Sequence, residues 1–184
     1  MDKALELEKI SKQISKCKIC QKDKIGLPVP GEGSPNAQIV FVGEAPGKKE
    51  AATGKPFIGP AGKLLRGLLA DSGIKDSEVF ITSPVKYLPK HVTPTPEEIA
   101  HGRTHLNDQL KVIQPKLVVL LGRVACLAVL EQNCSIAEDH GKIIKASGIN
   151  YFLSYHPAAP LYSPKLRQVL AKDFKKLKRL ISTL

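Results

Sequence analysis

Apolar residues in this chain follow two kinds of pattern. Near-continuous runs bounded by turn residues occur at "QIVFVG" from Gln38, "VFITS" from Val79, "KLVVLLG" from Lys116 and "NYFLSYH" from Asn150. Such runs, without strict alternation, suit strands covered on both faces. Elsewhere apolar residues recur at helical spacing. Leu7, Ile10 and Ile14 predict an amphipathic N-terminal helix, and "AGKLLRGLLADSG" predicts one that stops at glycine. "TPTPEEIAHGRTHLNDQLKVI" opens with Thr95, Pro96 and Glu98 arranged as a capping box with proline in the first turn. "RVACLAVLEQ" predicts a short helix after the third strand. The last helix turns Leu166, Val169, Leu170, Phe174, Leu177 and Ile181 to one face and Lys172, Lys175, Lys176 and Arg179 to the other.

Strands alternating with helices predict right-handed crossovers. The expected fold is therefore α/β: a three-layer sandwich with a central four-stranded parallel sheet and helices on both faces, forming a single domain over residues 1–184. Ligands of open parallel sheets bind beyond the carboxyl ends of the strands. "GEAPG", "SPVKY" and "HPAAP" leave the first, second and fourth strands there.

Charge narrows the class of partner. The 28 Lys and Arg against 17 Asp and Glu leave a net +11, which suits a polyanionic partner and, on charge alone, equally a lysine-rich soluble surface. No apolar run approaches the ~20 residues needed to cross a bilayer. The start "MDKALELEKI" lacks the apolar core of a secretion signal, so a cytoplasmic protein is expected. Four cysteines, at 17, 20, 126 and 134, do not suggest a disulfide framework, and only the pair in "CKIC" has ligand spacing.

The richest segment is "VGEAPGKKEAATGKPFIGPAGKLL", with five glycines and three prolines between Val42 and Leu65. It is neither a dinucleotide fingerprint nor a Walker loop: no Ser or Thr follows the Gly-Lys, and the preceding glycine spacing is wrong. Phe57, between Pro56 and Ile58, is an aromatic ring set among bent backbone, the combination that grips an unstacked base.

In order, "GEAPG", "TGKPFIGPAGKLL", "ITSPVKYLP", "LGRVA" and "YHPAAPLYSP" resemble the family-four uracil-DNA glycosylases. The resemblance runs from "CKIC" to the last helix, and implies a uracil-DNA glycosylase-like fold in a monomer that acts on DNA. It implies that Glu44 and His156 are catalytic, Glu44 at the floor of the base pocket and His156 donating to uracil O2 as charge develops on the leaving base. Gly43 and Ala45 would line the pocket and Phe57 would stack on the flipped uracil. The loop holding Pro157, Ala158, Leu161 and Tyr162 would enter the minor groove. Removal of hypoxanthine or xanthine, and DNA binding with weak catalysis, are the rival expectations.

Two departures bear on these expectations. Ser83 stands where the family commonly has an asparagine whose carboxamide reads uracil N3 and O4 together. A hydroxyl cannot span both atoms, so Thr82 and Lys86 are candidate helpers. The family's four-iron four-sulfur cluster also needs four thiolates. Cys17 and Cys20 match the first pair, but Tyr87 and Gly102 occupy the other positions, and Cys126 and Cys134 fall where the family has no ligand. No cluster or other metal is expected, which leaves "CKIC" as a remnant or a redox-sensitive pair. A zinc site completed by His101 and His105, four apart on a helix, is the alternative to an ordinary surface histidine pair.

Overall fold

A computed structural model describes residues 2–146 and 148–183. In chain order the helices are α1 (Lys3–Lys16), α2 (Lys18–Gln21), α3 (Lys48–Thr53), α4 (Pro60–Asp71), α5 (Pro96–Ile113), α6 (Arg123–Leu130), α7 (Ile136–Asp139), α8 (Ala159–Tyr162) and α9 (Leu166–Ile181). The strands are β1 (Lys24–Ile25), β2 (Glu32–Gly33), β3 (Ile39–Val42), β4 (Val79–Thr82), β5 (Leu88–Pro89), β6 (Leu117–Leu121), β7 (Ile143–Ala146) and β8 (Ile149–Ser154).

The main sheet runs β2-β4-β3-β6-β8-β7. Its inner four strands are the four apolar runs, and they are mutually parallel. The expectation of a four-stranded sheet needs correction, because β2 and β7 add antiparallel edges to make six strands. β2 is two residues inside the Pro- and Gly-rich loop, and β7 folds back on β8 as a hairpin. Neither carries a buried run of its own. A second small sheet pairs β1 with β5.

Alternation along the inner strands sends side chains into two cores. On one face, Leu65, Leu68 and Leu69 of α4 and Leu170, Phe174 and Leu177 of α9 cover Ile39, Phe41, Leu117, Val119 and Phe152. Phe41 and Phe174 stack with centroids 5.9 Å apart. On the other, Leu106, Leu110 and Ile113 of α5 with Ala125 and Cys126 of α6 cover Val40, Val42, Val118, Leu120 and Leu153. Ile10 and Ile14 of α1 join Cys20 and Tyr87 in a smaller third core.

α5 starts where its sequence says it should: Thr95 Oγ1 accepts from Glu98 N, and the Glu98 carboxylate accepts from Thr95 N. No helix among the described residues is long and apolar enough to cross a membrane.

Strand order reverses at β3, whose neighbours β4 and β6 both follow it in sequence. At this switch point the loops leaving adjacent strands diverge and open a crevice. Backbone ladders hold the loop origins: Gly43 N donates to Thr82 O at 2.8 Å, and Gly122 N donates to Ser154 O at 2.9 Å.

Candidate active site

The crevice is a cleft of about 500 Å³ at the carboxyl ends of the strands. Glu44, Ala45, Phe57, Ser83, His156, Ala158, Leu161 and Tyr162 all line it. Residues more than a hundred positions apart thus converge because β3, β4 and β8 end at the same edge of one sheet. Gly43 lies beneath Phe57, where an added Cβ would meet the ring at 2.7 Å. Pro157, expected in the groove-entering loop, is buried, whereas Leu161 and Tyr162 are 56% and 89% exposed.

The glycines of the long loop make room for the protein's own groups. Phe57 has φ 51, a left-handed backbone uncommon for a bulky residue. Three neighbours hold it there. Gly43 admits the edge of its ring, and Gly62 in α4 admits its carbonyl, since a Cβ on Gly62 would lie 1.8 Å from Phe57 O. Glu50 of α3 accepts from Ile58 N at 2.9 Å and from Gly59 N at 2.8 Å through the same Oε1. That carboxylate fixes the two residues that lead into α4 and sets a negative charge near the start of the helix, where free N–H groups favour an anion. Glu50 carried no sequence signal, because its partners are backbone atoms across a turn.

His156 is held in one tautomer. Its Nδ1 accepts from Ala158 N at 3.1 Å, so the neutral ring carries its proton on Nε2, the atom on the Gly43 side. Burial depresses its pKa to about 4, which keeps the ring a neutral donor at physiological pH. Phe57 and His156 face one another with centroids 5.8 Å apart and planes inclined by 33°. Burial also raises the pKa of Glu44, with Arg123 opposing the effect.

These opposite shifts set a pH dependence. As pH falls from neutrality, Glu44 takes a proton above its ordinary value of 4.5, whereas His156 does so only near 4. If the Glu44 carboxylate serves the reaction, the rate falls first through the raised Glu44 pKa, and more steeply near pH 4. Glu44→Gln is expected to remove the first limb from a single-turnover pH profile; an unchanged limb would assign it elsewhere. The His156 shift also makes acid destabilising, since the unfolded chain binds that proton from about pH 6.5 downward and the folded chain only near pH 4.

Ser83 is buried, and its hydroxyl donates to Val85 O at 2.8 Å. Toward the cleft the oxygen offers lone pairs only. Thr82 and Lys86 are not available to help it. Lys86 Nζ donates to Thr82 Oγ1 and Gln109 Oε1, each at 2.8 Å, and Gln109 Nε2 donates to Pro30 O at 2.7 Å. This network ties the loop before β2 to α5, and burial lowers the Lys86 pKa to about 7.

The cleft also has an apolar lip that the sequence did not reveal, formed by Leu88 and the 75% exposed Val92. Lys48 and Lys49 lie at its margin.

A family model described as the uracil DNA glycosylase superfamily matches residues 30–181. The Type-4 uracil-DNA glycosylase of Sulfurisphaera tokodaii is 39% identical over 96% of this chain and 86% of its own length. That of Archaeoglobus fulgidus is 39% identical over 93% and 91%, and that of Thermotoga maritima 37% identical over 95% and 94%. The chain belongs to the Type-4 uracil-DNA glycosylases.

The iron-sulfur cluster associated with the Type-4 family finds no matching ligand set here. Tyr87 packs its ring into the small core beside Cys20. At Gly102 a Cβ would stand 2.2 Å from Pro84 O, so the local backbone leaves no space for a cysteine. Cys126 belongs to the core under α6, apart from Cys17 and Cys20. A four-thiolate cluster does not fit these residues.

Proposed function

We propose that this chain is a DNA repair glycosylase that takes uracil out of the helix and hydrolyses its N-glycosidic bond, leaving an abasic site. The observation that carries the reading is the convergence of the Phe57 ring and the Nε2–H of neutral His156 over Gly43. One supplies a stacking face, the other a donor for an oxygen that gains charge.

Departure of the base leaves an oxocarbenium-like sugar and a uracil anion. A donor fixed at O2 stabilises the anion as it forms, without reorganisation. Water then adds its hydroxyl to C1′ and its proton passes to the base or to solvent. In this reading the Glu44 carboxylate holds that water, and Ala45 keeps the wall of the pocket low. The duplex hides both bond and base edge, so the nucleotide must be flipped, more cheaply from a U·G mismatch than from a pair with adenine. Leu161 and Tyr162 then fill the space that it leaves, and Lys48 and Lys49 take phosphates. The enzyme acts as a monomer.

Ser83 governs how narrow the choice of base is. With its proton committed to Val85 O, it accepts from an imino N–H such as N3–H of uracil. It therefore rejects cytosine, whose N3 is an acceptor, but makes no demand at O4. Hypoxanthine and xanthine also present an imino N–H, so they are the lesions against which selectivity is weakest. Ser83→Asn is expected to raise the preference for uracil over both; an unchanged lesion profile would place recognition elsewhere.

The direct test is single-turnover cleavage with enzyme in excess, on oligonucleotides carrying uracil, hypoxanthine or xanthine, single-stranded and opposite each base, followed by alkali. Strong cutting at uracil supports the reading. Cutting mainly at another lesion would mean a retuned pocket, and binding without cutting would mean a non-catalytic DNA-binding module.

A further inference from the structure

Two donors other than cysteine converge on the pair that the missing cluster leaves behind. Cys17 Sγ lies 3.2 Å from His101 Nε2, across 84 positions of sequence. The ligand atoms of Cys17, Cys20, His101 and His105 all lie within 4.8 Å of one another. We propose that these four side chains bind one tetrahedral zinc ion, which fastens the α1–α2 corner to α5 where the family has a cluster.

Geometry favours a single ion. Bond lengths of about 2.0–2.3 Å place the donors of a tetrahedral zinc roughly 3.3–3.8 Å apart, so the observed group needs to close by about 1.5 Å at most. A four-iron cluster interposes its irons and sulfides between four thiolates, and these atoms stand too close together for that. A Rieske-type two-iron centre puts two cysteines on one iron and two histidines on the other. Here a cysteine and a histidine approach each other as ligands of the same ion do.

The chain supports the site from both sides. C-x2-C followed by H-x3-H is the spacing of a structural Cys2His2 zinc set. His101 and His105 share one face of α5, their rings edge-to-face at 5.6 Å. His105 Nε2 is buried with no hydrogen-bond partner among the described residues, and a buried polar atom left so is destabilising unless something binds it. Cys17 caps α2, its sulfur accepting from Cys20 N at 3.5 Å, the kind of contact that fixes a ligating thiolate. A cavity of about 320 Å³ reaches Cys20 and His101 and gives the ion a route in. Two thiolates neutralise Zn²⁺, so the filled site adds no net charge beside buried Lys86.

The test uses the full chain, purified after expression with both iron and zinc in the medium. Elemental analysis is expected to find one zinc per chain, with neither iron nor acid-labile sulfide. Zinc removed by a chelator and replaced by Co²⁺ is expected to give the intense visible bands of a tetrahedral thiolate site. Cys20→Ser and His105→Ala should lose the metal, His105→Cys should keep it, and Cys134→Ser should be unaffected. Should the ligand variants not fold, the cobalt spectrum of the unmutated chain still decides. Iron with sulfide, or metal-free protein with Cys17 and Cys20 joined as a disulfide, would overturn the proposal. So would a zinc content that Cys20→Ser and His105→Ala both leave unchanged.

Discussion

Replacing His156 with alanine is expected to slow single-turnover uracil release by about 10²–10³-fold, the loss typical when one donor to a developing oxyanion is removed. The expectation rests on the tautomer. Ala158 N donates to Nδ1, so Nε2–H is left for the base, and burial keeps the ring neutral down to about pH 4. A neutral donor forms a hydrogen bond with the substrate oxygen in the ground state and a stronger one with the anion, so its effect appears in the rate. Affinity for uracil-containing DNA is expected to change by no more than about threefold, because phosphate contacts dominate it. Equal rates for the variant and the parent would remove His156 from the leaving-group role.

The second large effect is expected from a residue with no functional group. A methyl at position 62 would lie 1.8 Å from Phe57 O and 2.0 Å from its carbonyl carbon, and backbone cannot swing aside as a side chain does. Alanine gains about 1 kcal/mol over glycine within a helix, but forced overpacking typically costs about 1–3 kcal/mol and more where backbone must move. The clash wins. Gly62→Ala is expected to lower Tm by about 3–8 °C. Displacing Phe57 by about an ångström should slow cleavage by roughly 10²-fold. Gly67→Ala on the same helix is the control, because its Cβ meets nothing within 4 Å; it should be as active as the parent and no less stable. If both variants behave alike, the packing of α4 against Phe57 does not hold the ring.

Most of the architecture was legible in short-range pattern. The four inner strands are continuous apolar runs because helices cover both faces, and α5 was announced by a cap whose partners are three residues apart. The edges escaped because β2 and β7 are defined by pairing with β4 and β8, and pairing is a property of two segments. Among the chemistry-bearing members of the candidate site, Phe57 stood out as an aromatic ring among bent backbone, whereas Glu44, Ser83 and His156 were named only through the resemblance to the family-four uracil-DNA glycosylases.

What sequence could not supply was direction. Thr82 and Lys86 flank Ser83 closely in the chain, yet their polar atoms turn to Pro30 O and Gln109, away from the cleft. Pro157 turned inward, while Leu161 and Tyr162 stayed in solvent. Glu50 acquired its role through two backbone N–H groups across a turn, and Gly62 through a carbonyl that only the packed loop brings near. The same holds for the Cys and His residues at the α2–α5 corner, where 84 positions separate Cys17 from a nitrogen 3.2 Å away. Local composition and periodicity set which segments become strands and helices, because those depend on neighbours a few residues off. Which atoms face one another depends on how the layers close, and that is decided by contacts between distant segments.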